Sequence, residues 1–429
     1  MSPSPPRFVQ ITIGTVVAAV LVAGMVRTSP ARSTVSAAWR DASTTASWAG
    51  AWGAAVQPPV DGWSKKGFEN QTVRQVVRLS TGGSQVRIRL SNLYGTRPLR
   101  VDGATLGRSA GGGMVWPRTL TPLAFDGRAG VVIPAGRDAV SDPVAFSTSA
   151  LERLSVSLKF SGRTGQATFH RHAMSSSYRA QGDHLLDQGS GAFTQSSPSW
   201  YYLSGVEVSG AAVPRDRNTV VAFGGALVDG VGSTAGADRR FPDLLAERLV
   251  AAHRPLAVTN AGIAAGRLLS DSGCGGEEGL TRFRRDVLER PGVRSVIVSL
   301  GAHDIAAPEG GDPCVRPGPR VTAEQVIAGH RTLIRAAHAR GIKAVGMTIP
   351  PMRGAPVPYL GPGGEKVRQA VNAWIRTGGA YDSVADADRA MADRADARLP
   401  RSGYVHLDGV HPNDAGHLAI AGTVDLDAL

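Results

Sequence analysis

The hydrophobic period of this chain changes once, near Pro214, and that change restricts it to a fold in two parts. From Trp48 to about Gly210 the period is two. Val86, Ile88 and Leu90 alternate with Arg87 and Arg89, and Leu154, Val156 and Leu158 alternate with Ser155, Ser157 and Lys159. Such alternation marks half-buried strands. Turn clusters such as Thr81-Gly82-Gly83-Ser84 and Ser109-Ala110-Gly111-Gly112-Gly113 separate them, and no helix of convincing period interrupts. The expected assembly is an all-β sandwich, jelly-roll-like.

Past Pro214 short apolar runs alternate with helical spacing. Thr219 to Phe223, Leu256 to Thr259, Ser295 to Leu300 and Ala344 to Thr348 read as buried parallel strands. Phe241 to Ala252, Glu277 to Leu288 and Ala323 to Ala339 carry Leu, Val, Ile and Ala at helical intervals. This order predicts an α/β, doubly wound parallel sheet with its chemistry on the loops at the carboxyl ends of the strands.

The 429 residues give room for two such domains, and 53 Gly with 27 Pro suit loop-rich globular structure rather than fibre or disorder. A net charge of +12 raises the question of nucleic acid. Arg239-Arg240 and Arg284-Arg285, however, alternate with acidic residues on expected helices, the pattern of a solvated face, so no nucleic-acid partner is expected. Arg7 precedes an apolar run from Phe8 to Val26, which reads as an export signal or as an uncleaved membrane anchor. The expected organisation is therefore a signal or anchor over 1–37, a linker over 38–47, a β-sandwich over 48–212 and an α/β domain over 216–429. The expected location is secreted, or anchored on the extracellular side. Outside the cytosol the only two cysteines, Cys274 and Cys314, are expected to pair as a disulfide; two free buried thiols are the other reading. Trp48, Trp52, Trp63 and Trp116 read either as core or as a sugar-stacking platform.

Four blocks fall on the loops of the second part: Gly224-Gly225-Ala226-Leu227, Asn260-Ala261-Gly262, Gly301-Ala302-His303-Asp304 and Asp408-Gly409-Val410-His411. In type and order they resemble the site of the SGNH (GDSL) esterases and lipases. Phe68-Glu69-Asn70-Gln71-Thr72 and Arg89 to Gly95 extend the likeness to two-domain secreted members from actinobacteria. The resemblance implies that His411 is the general base and Asp408 its orienter. It implies oxyanion donors at Ala226, Gly262 and His303, and no cofactor or metal. It also puts Ala226 where the family has its nucleophilic Ser, Gly225 where it has Asp, and His303 where it has Asn.

A chain so altered is expected to be a pseudoenzyme, binding an ester, acyl or glycan ligand in the old pocket, and a monomer. One alternative is slow ester hydrolysis in which Asp408 and His411 activate water; another is a structural envelope protein. Ser233 is a weak substitute nucleophile. His303, Asp304, Asp408 and His411 would hold zinc only if they converged.

Overall fold

A computed structural model describes residues 47–210, 213, 217–308, 318–355 and 359–429. The N-terminal apolar segment and Cys314 lie outside the described residues, and with them the expected signal and the partner expected for Cys274.

The first part is antiparallel. One sheet runs Ala49–Gly53, Leu203–Ser209, Gly83–Ser91, Val144–Thr148, with Asp138–Val140 also on Gly83–Ser91. A larger sheet is centred on Gln71–Arg78, Arg153–Phe160 and Gly103–Gly111, with Val156 opposite both Gln75 and Leu106. Val86, Ile88 and Leu90 from the first sheet and Leu154, Val156 and Leu158 from the second enter one core. One expectation is corrected here, because Arg153–Phe160 is buried on both faces from Leu154 onward. Its polar face is covered by Arg74, which donates to Ser157 Oγ at 3.0 Å and to the Gly113 and Asp187 carbonyls, while Lys159 donates to Asn70 Oδ1 at 2.8 Å. Internal hydrogen bonding lets the alternating pattern sit inside the protein. The four tryptophans go to different places. Trp52 packs edge-on against Trp200, Trp63 stacks on Tyr201, Arg87 covers Trp48, and Trp116 is exposed.

The second part holds a five-stranded parallel sheet of β1 (Thr219–Gly224), β2 (Ala257–Gly262), β3 (Val293–Ser299), β4 (Lys343–Met347) and β5 (Ser383–Ala385), ordered β2-β1-β3-β4-β5. The expected strands are present to within two residues at most ends, and β5 is additional. Its helices are α1 (Ala226–Asp229), α2 (Phe241–Ala251), α3 (Gly279–Phe283), α4 (Ala302–Ala306), α5 (Ala323–His338), α6 (Pro362–Thr377), α7 (Ala387–Met391) and α8 (Asp414–Gly422). The helix expected over 277–288 is instead α3 running into a π-helical turn, Arg284–Leu288. Two apolar clusters sandwich the sheet, one with α5 and α6 and one with α2 and α8.

The parts are not separate bodies, because residues 46–429 form one compact unit. Ala54 bridges in parallel to Asn260 on the edge strand β2, Gly50 N–H donates to Thr219 Oγ1 at 3.1 Å, and Val258 N–H donates to Ser80 Oγ at 2.8 Å. The antiparallel part thereby covers an edge that would otherwise offer unpaired backbone groups.

Candidate active site

The parallel sheet ends in a cleft of about 550 Å³ at the carboxyl ends of β1 and β3. β1 turns at Gly224 and Gly225 into α1, which sets Ala226 in the wall with its N–H at a helix start, where backbone donors lack an intrahelical partner. Leu227, Leu300, Ile349, Met352 and Val410 make the rest largely apolar. Among the described residues the lining contains no Asp, Glu, Lys or Arg, and its polar side chains are Ser299, His303, Tyr359 and His411.

Asp408 and His411 meet as the sequence predicts. His411 Nδ1 lies 2.8 Å from Asp408 Oδ2, and Asp408 Oδ1 accepts from the N–H groups of Val410 at 2.8 Å and His411 at 2.9 Å. Burial alone would raise the Asp408 carboxyl, but these donors outweigh it and hold the group well below the usual carboxylate range. Its charge fixes the tautomer of His411: Nδ1 carries the proton toward Asp408, which leaves Nε2 as the basic nitrogen. Helix capping does not account for Asp408. Asn413 caps α8, accepting from Ala415 and Gly416 N–H. The His411 loop packs on residues 230–236, where Gly232 approaches so closely that a Cβ there would stand 3.2 Å from His411 Cβ and 2.4 Å from the Pro412 carbonyl. Thr234 N–H adds a bond to Asp414 Oδ1 at 2.7 Å.

His303 also reaches the cleft, almost fully buried, and Tyr359 stands between the two imidazoles. Its ring makes edge contacts with His303 at 6.0 Å and with His411 at 6.3 Å between centroids.

Three assigned positions behave differently. Gly262 N–H donates to Asn260 Oδ1 at 2.8 Å within β2 and does not line the cleft, so it is withdrawn as an oxyanion donor; Gly266 from the following loop lines it instead. Before Gly266, Ala265 is held in the left-handed region at φ +59°, a conformation that non-glycine residues adopt only under local constraint. Asp304 is directed away from the cleft. It accepts Leu268 N–H at 2.7 Å and Leu269 N–H at 2.8 Å, and burial raises its carboxyl despite those bonds and the nearby Arg267. The four candidate zinc ligands therefore do not converge, and among the described residues no other set of three His, Cys, Asp or Glu does. Ser233 is likewise committed elsewhere, its hydroxyl donating to Gly230 O at 2.7 Å.

Residues missed by the sequence reading are Ser299, Gly266, Tyr359 and Arg282. Fully buried Arg282 donates to the carbonyls of Ala261 at 2.9 Å and Gly224 at 2.7 Å, which joins the ends of β2 and β1 beneath the cleft, and it lies 4.2 Å over the Phe223 ring. The Tyr359 segment, rich in proline, carried a weak signal; Arg282 carried none.

An Asp-oriented imidazole beside a helix start, at the carboxyl end of a parallel sheet, is the layout of a hydrolase site. Residues 222–419 match the model of the GDSL-like lipase/acylhydrolase family, and it is a domain of this kind that they form. Among solved structures the chain is similar to a GDSL-like lipase from Bacteroides thetaiotaomicron (18% identity, TM-score 0.38, covering 51% of this chain and 91% of that one). It is similar also to a lipase/acylhydrolase from Enterococcus faecalis (21%, 0.35, 48% and 92%) and to a carbohydrate acetylesterase from Sinorhizobium meliloti (16%, 0.36, 48% and 94%). No curated protein matches the chain.

Proposed function

We propose that this is an exported, two-domain GDSL-type protein of the actinobacterial kind, whose cleft binds an ester, acyl or glycan ligand without hydrolysing it. In this reading a β-sandwich precedes a doubly wound hydrolase domain, and Ala226 stands where active members carry their serine. The observation that supports it most is the methyl group of Ala226 in the same cleft wall as His411, which is still oriented by Asp408. Loss of a triad serine typically lowers kcat by about a million-fold. The protein acts as a monomer with no cofactor, and contacts the envelope or membrane through its N-terminus.

The intact 2.8 Å pair of His411 and Asp408 favours a second reading, in which His411 Nε2 takes a proton from water and the activated water attacks a bound ester directly.

The experiment is hydrolysis of short- and medium-chain aryl esters by the purified chain, beside a thermal-shift titration with the same esters. Saturable stabilisation without turnover is expected, with turnover appearing in Ala226→Ser combined with His303→Asn and Gly225→Asp. Turnover by the parent that disappears in His411→Ala would replace this reading with the second one.

A further inference from the structure

One buried cluster outside the cleft joins the two parts of the protein. His170 ends the short strand Phe169–His170 of the antiparallel part, and its Nε2 lies 3.0 Å from Oδ1 of Asp229, the last residue of α1; both side chains are almost wholly excluded from solvent. His170 Nδ1 lies 2.8 Å from the Ala55 carbonyl, and Nε2 is also 3.3 Å from the His172 carbonyl. Every group in reach of either ring nitrogen is therefore an acceptor. A neutral imidazole would turn a lone pair toward one of them, whereas an imidazolium donates at both nitrogens. Nε2 makes its hydrogen bond to the His172 carbonyl, and Asp229 Oδ1, though 3.0 Å away, lies out of line for one, so the hold on Asp229 is by charge.

Among the other groups facing this ring Arg240 supplies a competing charge, and it is itself paired with Asp243. Burial favours the neutral form, Asp229 opposes it strongly with help from the Ala55 carbonyl, and Arg240 works against protonation; the balance still raises His170 above its ordinary value. His172 is pushed the other way, first by burial and then by His170 and Arg171, with Asp229 and Asp61 opposing. The Trp200 ring lies against His170, tilted by 31° with 5.5 Å between centroids, and helps to bury the pair.

Asp229 is also joined to the cleft. Its Oδ2 accepts Ala264 N–H at 2.6 Å; Ala265 follows in its left-handed conformation, and Gly266 then enters the cleft wall. At the other end of α1, Ala226 forms the facing wall. One carboxylate thus ties the α1 turn, which places Ala226 in the cleft wall, to the loop that places Gly266 there, where Gly266 N–H is held by the Ile263 carbonyl at 2.9 Å.

We propose that His170 is a positioning residue: a buried imidazolium, supplied by the antiparallel part, that fixes the Asp229 carboxylate and through it the Ala264–Gly266 wall of the cleft. The antiparallel part is then a component of the site. Removing the cation leaves the buried carboxylate with only Arg240, itself paired with Asp243, as counter-charge, an unfavourable state that relaxes by protonation or by water entry, and either outcome weakens the bond to Ala264. The inference concerns the shape of the cleft and holds whether or not the cleft binds an ester.

The test uses the full chain and two readouts independent of activity: the NMR titration of the His170 imidazole and hydrogen exchange of individual amides. The wild-type ring should remain doubly protonated at neutral pH, and protection of the Ala264–Leu268 amides should fall as pH rises and the ring loses its proton. In His170→Gln and in Asp229→Asn the same amides should exchange at least about tenfold faster while Val296 to Val298 of β3 keep their protection. A neutral His170 at neutral pH overturns the proposal, and that measurement alone decides if neither variant folds. Unchanged protection at 264–268, or an equal loss across β3, overturns it as well, since the pair would then contribute only to global stability.

Discussion

A side-chain carbon on Gly225 would stand 3.3 Å from Nδ1 of His303, so these two residues occupy one space. The imidazole fills room that exists because position 225 has no side chain. Gly225→Asp alone should therefore force the ring aside, and His303→Asn alone should leave a gap under the α1 turn. Together they should be better tolerated than the sum of the two. A double-mutant cycle by urea unfolding should return a favourable coupling of about 1 to 2 kcal/mol. Strict additivity would show that the two positions do not compete for space. The same relationship explains why a lone Ala226→Ser reversion is a poor test of lost catalysis, since the hydroxyl would enter a pocket still shaped by His303.

Acid should weaken the protein through histidines that line nothing. His330 is fully buried, with Nδ1 2.5 Å from Tyr381 Oη and Nε2 3.2 Å from the carbonyl of Leu300, a residue of the cleft wall; burial pushes it down to about 4 against that carbonyl's pull. His417 on α8 is likewise pushed down to about 4 by burial. Both stay neutral in the folded chain while the unfolded chain takes up protons near pH 6.5. Stability is then fully present above that value and falls as pH drops from about 6.5 toward 4, by about 1.4 kcal/mol per pH unit for each histidine. His417→Gln should reduce the acid slope by about one proton's worth in pH-dependent urea midpoints. An unchanged slope would mean that His417 is protonated in the folded state.

How far the sequence could be read depended on whether a residue's role is local or tertiary. Strands β1 to β4 were legible because burial on both faces leaves continuous apolar runs, and Asp408 with His411 was legible because three residues of separation let one turn bring them together. Helix α6 was not, since Gly363 and Gly364 dilute its first turn and hide the spacing of Val371 and Ile375 behind it. That Gly266 and not Gly262 lines the cleft was beyond sequence reasoning because it rests on the turn after β2, closed by Gly266 N–H on the Ile263 carbonyl. Whether Asp304 faces the cleft was equally out of reach: its carboxylate turns to the amides of Leu268 and Leu269, a contact that periodicity does not encode.

Arg282 should be among the least replaceable residues of the second part. Its guanidinium pairs with Asp286 at 3.1 Å and satisfies the carbonyls that end β1 and β2. Arg282→Met would remove this donor from the Ala261 carbonyl, leave the Gly224 carbonyl with only Ile263 N–H, and reduce the compensation of Asp286, for a loss of about 3 to 5 kcal/mol. Arg282→Lys should recover little, because an ammonium cannot span the two carbonyls and the carboxylate in the geometry of a planar fork. Chemical unfolding of both variants checks this, and near-wild-type stability of the Lys variant would show that charge matters here and fork geometry does not.

The pair at the cleft mouth gives a prediction of the opposite sign to that of the buried histidines. Asp408 is held below the ordinary carboxylate range by His411 and by two backbone donors in spite of partial burial, so its contribution is present above about pH 4 and is lost only as pH falls further, through its folded value. Both side chains have solvent contact, which keeps that contribution small, within about 1 kcal/mol. Asp408→Asn should accordingly leave the unfolding midpoint nearly unchanged at neutral pH. Its effect should appear at His411. Without the carboxylate the ring loses the acceptor that fixes its tautomer, so exchange of the His411 ring between tautomers should become visible by NMR. A His411 ring with the same tautomer populations in Asp408→Asn would show that the 2.8 Å contact does not order the ring, and would remove the basis for water activation by this pair.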